Sequence, residues 1–341
     1  MELKLKELHV KNYKLFKDLE IPKLGQVNLI TGKNNTGKTI LLEALRIWAS
    51  EGDASVINNI IWTRGDWDDS SELKTYSSLF TDSMIEKKVE IEQLQIVSVL
   101  TRDKKYLDDL RAIIMDEQTA VLSALREYKS GEENEAKVLK DKGTEIRMRF
   151  GTKEHPQDVA IFVPASIDFD NKKLWSNIDL TDKKDIVIQI LQIIEPSIID
   201  LGIIDNVARV RTKDSKIPVP LKNFGEGLNR LLTIAMALVS AEDNLLLIDE
   251  IDTGLHHSVL EKLWEVIFTY ADELKTQVFV TTHSWDCISA FSYVYNKNEK
   301  NKAMGNYFRL RRSREDAAII EPVYYTNEEL EDALMSNIET R

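Results

Sequence analysis

The chain has 341 residues, 43% of them hydrophobic and 30% charged, a composition typical of a folded protein with a substantial core. Its formal net charge of -12 excludes an overall positive field that would attract nucleic acid or an anionic membrane surface. The single cysteine, Cys287, excludes an intrachain disulfide and a cysteine-rich zinc site. No apolar signal core or run of roughly 18 apolar residues is present, so we expect a cytoplasmic protein without a membrane partner.

The first elements in chain order are three predicted strands, at residues 2–11, 16–21 and 27–30. The third strand leads into a glycine-rich loop with the spacing Gly-x4-Gly-Lys-Thr, and a helix-period pattern follows the loop. The loop consists of Gly32, Lys33, Asn34, Asn35, Thr36, Gly37, Lys38 and Thr39. A strand, such a loop and a helix in succession predict a P-loop; the structural alternative is a glycine turn between a strand and a helix.

The residue types of this loop suit the binding of a nucleoside triphosphate. Glycines let several backbone N–H groups converge on phosphate oxygens, and the helix adds its positive N-terminal end. Lys38 can reach the β- and γ-phosphates, and the Thr39 hydroxyl is placed to bind Mg²⁺. We therefore predict ATP and Mg²⁺ as cofactors, with the whole loop as the nucleotide-binding surface.

The region after the P-loop helix has a mixed pattern, which predicts irregular chain at 53–85, a strand at 88–100, a helix at 103–129, a solvated helix or loop at 130–143 and a strand at 144–150. The apolar spacing at 103–129 is close to a heptad but short. An arm packed on its own domain is favoured over an oligomerisation helix. Gln93 and Gln95 lie inside the strand pattern, and neither is assigned as a Q-loop glutamine.

The second half of the chain predicts further strands and helices, namely a strand at 158–164, a helix at 182–195, a hairpin at 207–211 and 217–219, a strand pair at 306–311 and 317–324, and a helix from Asn327.

Two predicted buried strands end in residues that complete an NTPase site. The strand at 244–248 ends in Asp249, placed for Mg²⁺, and Glu250, the candidate to orient and deprotonate the attacking water. The strand at 277–281 brings His283 to the sheet edge where ligands bind in open α/β folds. The predicted catalytic set consists of Glu250, His283 and Lys38. The structural alternatives are a buried strand that happens to end in two acids and a histidine that only packs.

A second glycine-rich segment, Gly225, Glu226 and Gly227, precedes a predicted helix at 231–239. A helix start of this kind also binds phosphate through free N–H groups and the helix dipole. One γ-phosphate does not need two cradles from one subunit, so we expect this segment to cap a nucleotide held by a second copy. We therefore expect the protein to form a homodimer or a higher homo-oligomer. The turn Asp252–His256 is placed to contact the partner across the nucleotide.

The ordered set of P-loop, glycine signature, Asp-Glu strand, D-loop turn and strand-end histidine resembles an ABC-type ATPase head of the SMC/RecF class. Residues 8–18 resemble the first strands of such heads. Segments 244–257 and 278–284 are similar to bacterial OLD-like ATPases, a group that supplies ATPase subunits of several anti-phage defence systems. One departure is that ABC signatures usually carry serine where Gly225 stands and glycine where Glu226 stands.

The resemblance implies an α/β P-loop NTPase fold, an ABC/SMC-type head with an antiparallel β subdomain and a helical insertion. It divides the chain into an N-terminal part of the head with the P-loop at 1–50, a variable insertion of a strand and a helical arm at 51–155, a C-terminal part of the head at 156–305, and a terminal strand pair and helix at 306–341.

The resemblance also implies an ATPase that switches a separate effector in anti-phage defence. OLD-like nucleases carry a TOPRIM domain after the head, whereas this chain ends soon after the last predicted helix, so we expect a nuclease-like effector on another protein. The alternative is a RecF/SMC-like DNA-binding ATPase of repair or recombination. Such a protein needs a basic strip, for which the run from Arg309 to Arg314 is a candidate. A nucleic-acid partner is therefore also possible. A transporter ATPase and a non-hydrolysing nucleotide sensor are weaker alternatives.

Overall fold

The computed structural model describes residues 3–50, 52–66, 78–81, 88–91, 94–98, 119–124, 137–141, 144–148, 160–166, 171–204 and 207–336. Its strands are β1 (Leu8–Tyr13), β2 (Phe16–Ile21), β3 (Val27–Thr31), β4 (Lys88–Ile91), β5 (Leu94–Ser98), β6 (Thr119–Ala124), β7 (Lys137–Asp141), β8 (Thr144–Met148), β9 (Ala160–Val163), β10 (Ile198–Ile204), β11 (Val207–Thr212), β12 (Ser215–Pro220), β13 (Leu245–Ile248), β14 (Gln277–Thr281), β15 (Gly305–Arg312) and β16 (Ile320–Tyr325).

The helices, in chain order, are α1 (Lys38–Ala49), α2 (Ala54–Arg64), α3 (Asn171–Ile178), α4 (Lys183–Gln192), α5 (Glu226–Ser240), α6 (Leu260–Glu273), α7 (Trp285–Asn296), α8 (Glu299–Met304) and α9 (Asn327–Met335). Two short 3₁₀ helices, Leu221–Phe224 and His257–Val259, precede α5 and α6.

A six-stranded sheet with the order β16-β15-β3-β14-β13-β9 forms the centre of the molecule. All neighbouring pairs are parallel except β15 and β16. Strands β3, β13 and β14 are buried along their whole length, as a parallel sheet covered on both faces requires. Because the carboxyl ends of parallel strands share one edge, the segments after β3, β9, β13 and β14 meet there.

The alternation of side chains along the central strands divides the core into two clusters. Leu245 and Leu247 of β13 belong to the cluster that includes α1, α2, β1 and β2. Leu246 and Ile248 point the other way, into the cluster that includes α4 to α7. The sheet is therefore covered by helices on both faces, which makes the fold α/β.

Two further sheets accompany the central one, a seven-stranded sheet that is antiparallel except for the pair β5–β6 and a three-stranded antiparallel sheet. The hairpin β1–β2 belongs to a sheet with the order β2-β1-β4-β5-β6-β8-β7, and β10-β11-β12 form a three-stranded sheet. The predicted hairpin at 207–219 and the C-terminal strand pair are confirmed, and α9 begins at Asn327 as predicted. Strand β10 and helices α3, α6, α7 and α8 were not predicted.

The prediction of irregular chain at 53–85 is wrong over residues 54–64, which form α2. The Asp53 side chain accepts hydrogen bonds from the backbone N–H groups of Ser55 and Val56, so it caps the helix start. Gly65 ends the helix at a φ of 73°, a left-handed conformation that glycine adopts without strain. Both caps are visible in the sequence, and a search for helix ends would have found them.

Three predictions for residues 88–143 are wrong in part. The predicted strand at 88–100 is two antiparallel strands, with Ile91 opposite Leu94. The predicted helix at 103–129 contains strand β6, which pairs in parallel with β5; residues 101–118 and 125–129 lie outside the described residues. The charged stretch 130–143 contains strand β7, paired with β8. Pairing with neighbouring strands overrides the local pattern here, since strand preference depends on tertiary context.

A buried ion pair joins α1 to α2: Arg64 Nε lies 2.5 Å from Glu43 Oε1, and the Glu43 side chain is 6% exposed. Burial raises the pKa of Glu43, and Arg64 opposes that rise. The Arg64→Met variant leaves the carboxylate unpaired, so we expect a loss of about 2–3 kcal/mol in unfolding free energy at pH 8. A buried carboxyl group with a raised pKa destabilises the folded state when it is ionised. At pH 5.5 more of the Glu43 carboxyl is protonated than at pH 8, so the loss in unfolding free energy should be smaller.

Urea unfolding of the wild-type and Arg64→Met proteins at both pH values measures this effect. The matched control is Arg211→Met, which removes an exposed partner of Asp200. We expect less than about 1 kcal/mol from the control, because exposed ion pairs contribute little. An Arg64→Met loss that is the same at both pH values would contradict the role given to Glu43.

Candidate active site

The loop between β3 and α1 forms a cradle at the carboxyl edge of the central sheet. Gly32, Asn35 and Gly37 have φ values of 146°, 63° and 94°, so the backbone curls through conformations that favour glycine. Lys33, Asn34 and Asn35 are exposed, whereas Thr36 and Gly37 are buried. Helix α1 then begins at Lys38. The predicted P-loop therefore has a strand before it, a helix after it and a curled backbone between them.

Two residues pack closely under this cradle and fix its shape. A Cβ at Gly37 would lie 2.7 Å from Cζ of Phe16, which is fully buried in β2. A Cβ at Gly32 would lie 2.5 Å from the backbone oxygen of Leu310 in β15. Both positions therefore exclude a side chain, and the loop rests directly on its neighbours.

The Lys38 ammonium lies inside the cradle. Its Nζ donates a hydrogen bond to the Gly32 backbone oxygen at 2.9 Å and lies 4.0 Å from Glu250 Oε1. The side chain is only 7% exposed. The Lys38 ammonium therefore lies between the curled loop and the carboxylate of Glu250, which follows β13.

Asp249 follows β13 and is held by two hydroxyl groups. Thr39 Oγ1 lies 3.0 Å and 3.2 Å from its two carboxylate oxygens, and Thr281 Oγ1 donates to it at 2.6 Å. Asp249 itself is 6% exposed. A carboxylate next to a threonine hydroxyl supplies the hard oxygen donors that Mg²⁺ prefers, so the residues present fit this ion.

Glu250 is presented by a strained backbone. Its φ is 47°, in the left-handed region that residues with a Cβ rarely adopt. The Thr281 hydroxyl accepts a hydrogen bond from the Glu250 backbone N–H at 2.9 Å. The Glu250 carboxylate lies 2.5 Å from Nδ1 of His283, whose side chain is 60% exposed. Strain of this kind often occurs at functional sites, where it aims a side chain at the reacting groups.

The turn after Glu250 is connected to the segment that carries His283. The Thr282 hydroxyl donates to Oδ1 of Asp252 and accepts from the backbone N–H of Ser284 at 3.0 Å. Ser284 in turn caps helix α7 by accepting from the backbone N–H of Cys287. The D-loop turn and the segment with His283 therefore form one hydrogen-bonded unit.

The glycine signature lies at the N-terminus of α5, and residues 222–226 are exposed. Gly225 has a φ of 102°, and no atom lies within 4 Å of the position its Cβ would take. A Cβ at Gly227 would lie 3.1 Å from the backbone oxygen of Gly254. The signature therefore packs on the D-loop of its own chain and leaves Gly225 open to solvent.

The structure thus brings Lys38, Thr39, Asp249, Glu250 and His283 together, as the sequence predicts, while Gly225 and Glu226 remain on an exposed surface. Sequence reasoning missed the role of Arg230. This residue lies three positions after Gly227, and an arginine on a helix is usually exposed.

Arg230 is 2% exposed and binds backbone oxygens of this site. Its guanidinium donates to Pro164 O at 2.7 Å, Asp249 O at 3.0 Å and Glu250 O at 3.4 Å. Burial lowers the pKa of Arg230, and Asp249 and Asp252 oppose that shift. A signal in the sequence is its position one helical turn after the exposed signature, next to the apolar residues Leu231 and Leu232.

Comparison with known proteins places the chain in a family. Residues 27–290 match the family model described as "AAA domain, putative AbiEii toxin, Type IV TA system". The chain is 25% identical to an "ATP/GTP phosphatase" of Helicobacter pylori, over 96% of this chain and 97% of that protein. It is also 36% identical, over 66 residues, to an uncharacterized protein of Methanocaldococcus jannaschii, covering 18% of this chain and 30% of that protein.

Among solved structures, the chain is similar to an SMC head bound to the C-terminal winged-helix domain of ScpA. The two share 13% sequence identity with a TM-score of 0.52, over 95% of this chain and 98% of that one. Within the described part of the chain, no helix is both long and apolar enough to cross a membrane. The chain therefore belongs to this AAA-domain family and is a P-loop ATPase with the fold of an SMC head.

Proposed function

We propose that the protein is a Mg²⁺-dependent ATPase that closes as a homodimer around ATP and thereby switches a separate effector. The observation that carries this proposal is the division of the predicted site. Lys38, Asp249 and Glu250 lie together, whereas Gly225 of the same chain faces open solvent. A site of this class is completed when the exposed signature of a second copy covers the triphosphate.

Each residue of the site has a chemical role in this proposal. The curled P-loop backbone and Lys38 hold the β- and γ-phosphates, and Thr39 with Asp249 would hold Mg²⁺, which neutralises developing charge on those phosphates. Glu250 orients the attacking water and accepts its proton. His283, 2.5 Å from the Glu250 carboxylate, keeps that carboxylate aimed and is placed near the γ-phosphate.

The substrate is a purine nucleoside triphosphate. The similar protein of Helicobacter pylori, which matches almost the whole chain, is named an ATP/GTP phosphatase. We propose ATP as the main substrate, and GTP is the first competitor to measure.

The output of the switch is a change in the surface that the protein offers to another protein. The family description names a toxin–antitoxin system, which is an arrangement of two components. The OLD-like resemblance of residues 244–257 and 278–284 adds anti-phage systems in which the ATPase works with another subunit. Both support a separate effector that is held or released according to the nucleotide state, and the OLD-like resemblance suggests an effector of nuclease type.

A mixing experiment tests the shared pocket. Lys38→Ala removes the P-loop cation but keeps the signature. Gly227→Asp keeps the P-loop and adds a negative charge to the signature, which should repel the triphosphate held by the partner copy. Its Cβ would lie 3.1 Å from the Gly254 backbone oxygen, a contact that the alanine control shares. We expect each variant alone to be nearly inactive, because every pocket then lacks one half. An equal mixture should regain about a quarter of wild-type activity, since half of the dimers pair unlike chains and have one intact pocket.

The matched control is Gly227→Ala, which adds the same Cβ without the charge. A mixture with no more activity than the two variants separately would contradict the shared pocket. High activity of Gly227→Asp alone would contradict a role of the signature in phosphate binding.

The SMC-head fold favours a second candidate, a DNA-binding ATPase of the RecF/SMC kind. Its basic strip would include the run from Arg309 to Arg314. Two members of that run already have protein partners, since Arg311 pairs with Glu321 and Arg312 donates to the backbone oxygen of Ala317. Duplex binding that tightens with ATP and weakens steeply with salt would favour this candidate over the effector switch.

A further inference from the structure

Arg230 lies directly behind the exposed signature segment. It is the fifth residue of α5, so its side chain leaves the helix about one turn after Glu226. Gly225 and Glu226 face solvent, whereas Arg230 is 2% exposed. One short stretch of helix therefore connects the surface to the interior of the site.

The guanidinium of Arg230 joins the ends of two neighbouring strands. Pro164, its partner at 2.7 Å, follows β9, and Asp249, its partner at 3.0 Å, follows β13. These strands are parallel neighbours, and the Asp249 backbone N–H donates to Val163 at 2.9 Å. The planar fork of an arginine suits two such acceptors, and lysine lacks this geometry.

The third acceptor is the backbone oxygen of Glu250, at 3.4 Å. The strained φ of 47° at this residue persists only if its surroundings hold the peptide units on both sides. Thr281 holds the backbone N–H side at 2.9 Å, and the carbonyl oxygen accepts from the Thr253 backbone N–H at 3.0 Å as well as from Arg230. Of these three contacts, only the one with Arg230 links the Glu250 backbone to the signature helix.

We propose that Arg230 is a positioning residue for ATP hydrolysis. It connects the signature helix to the backbone segment that orients the Glu250 side chain. The inference rests on the proposed function, in which Glu250 activates water. A shift of α5 when the signature engages nucleotide would move the guanidinium and hence the carbonyl of Glu250. Hydrolysis would then depend on nucleotide binding by the signature segment, although Arg230 itself contacts no phosphate.

The test compares Arg230→Lys and Arg230→Gln, each alone and combined with Glu250→Gln. Lysine keeps the charge but not the fork, so it also serves as the variant that folds if glutamine does not. We expect kcat to fall about 10-fold for lysine and about 100-fold for glutamine, with KM within threefold of wild type. In the Glu250→Gln background we expect no further fall, because both changes act through the same carboxylate.

The matched control is Arg46→Lys. Arg46 donates to Asn59 at 3.0 Å and lies 4.4 Å from the centre of the Phe162 ring, and neither partner is a residue of the predicted site. The melting temperature of the Arg46→Lys variant should fall as in Arg230→Lys, while its kcat stays at the wild-type value. A purely structural Arg230 would behave like this control.

The outcomes separate the two proposals. Wild-type kcat in both Arg230 variants, or losses that multiply with Glu250→Gln, would overturn this inference and leave the proposed function standing. A wild-type rate in Glu250→Gln alone would overturn both.

Discussion

Glu250→Gln is expected to lower kcat for ATP hydrolysis by about 10²–10³-fold while nucleotide affinity stays within a few-fold of wild type. The amide has nearly the same size, so it fits the strained turn and can remain next to His283. It cannot accept a proton from water, however, and so the chemical step loses its base. Steady-state phosphate release, together with a fluorescent-nucleotide titration, measures the two quantities separately.

The same variant should accumulate the closed dimer. Because ATP contributes to association only in the intact triphosphate state, blocking hydrolysis removes the step that reopens the pair. Gel filtration with ATP and Mg²⁺ should then show a species of twice the monomer mass, and ADP should not produce it.

The control for this experiment is Glu265→Gln, which changes an exposed glutamate that pairs with Lys297. It should leave rate and mass unchanged. If Glu250→Gln hydrolyses ATP at the wild-type rate, Glu250 is not the base. If it is slow but remains monomeric with ATP, the base is correct and the shared pocket is wrong.

The sequence predicted the centre of this fold well because local chemistry determines it. The apolar runs at 27–30, 244–248 and 277–281 have the length of buried strands, and in a parallel sheet the residues that follow each run meet at one edge. The contacts of Asp249 with Thr39 and of Glu250 with His283 follow from that topology. These residues come together because the carboxyl ends of parallel strands lie at the same edge of the sheet.

The region between 51 and 155 was predicted less well for the opposite reason. Strand β6 is stabilised by pairing with β5, more than twenty residues earlier in the chain, and β7 pairs with a strand outside its own charged stretch. A helical period in the sequence does not reveal such partners. Helix α2, by contrast, was missed although Asp53 and Gly65 mark its ends.

The position of Arg230 next to Leu231 and Leu232 signals burial in the sequence, but the groups that it binds could not be predicted from it. Its three acceptors are backbone oxygens of residues 164, 249 and 250, and backbone oxygens carry no sequence signal. The strained φ of Glu250 is equally invisible, because glutamate is not a residue type that predicts left-handed backbone. Contacts of this kind depend on how the folded backbone places its oxygens.

Gly37→Ala is expected to weaken ATP binding by at least about 30-fold, equivalent to about 2 kcal/mol. Two effects add. At a φ of 94° an alanine is strained, and its Cβ would lie 2.7 Å and 2.8 Å from two ring carbons of Phe16. Phe16 is fully buried and cannot swing into solvent, so the loop must move instead. Its N–H groups then no longer converge on the phosphates, as isothermal titration with a non-hydrolysable ATP analogue will show.

The matched control is Gly65→Ala, because Gly65 has a similar φ of 73° but no atom within 4 Å of its Cβ position. It carries the strain without the clash, so it should cost about 1 kcal/mol of stability and leave ATP affinity unchanged. Adding Phe16→Leu to Gly37→Ala makes room for the Cβ and should restore part of the affinity, since strain alone then remains. Wild-type affinity in Gly37→Ala, or no recovery in the double variant, would show that the ring beneath the loop does not fix the shape of the phosphate cradle.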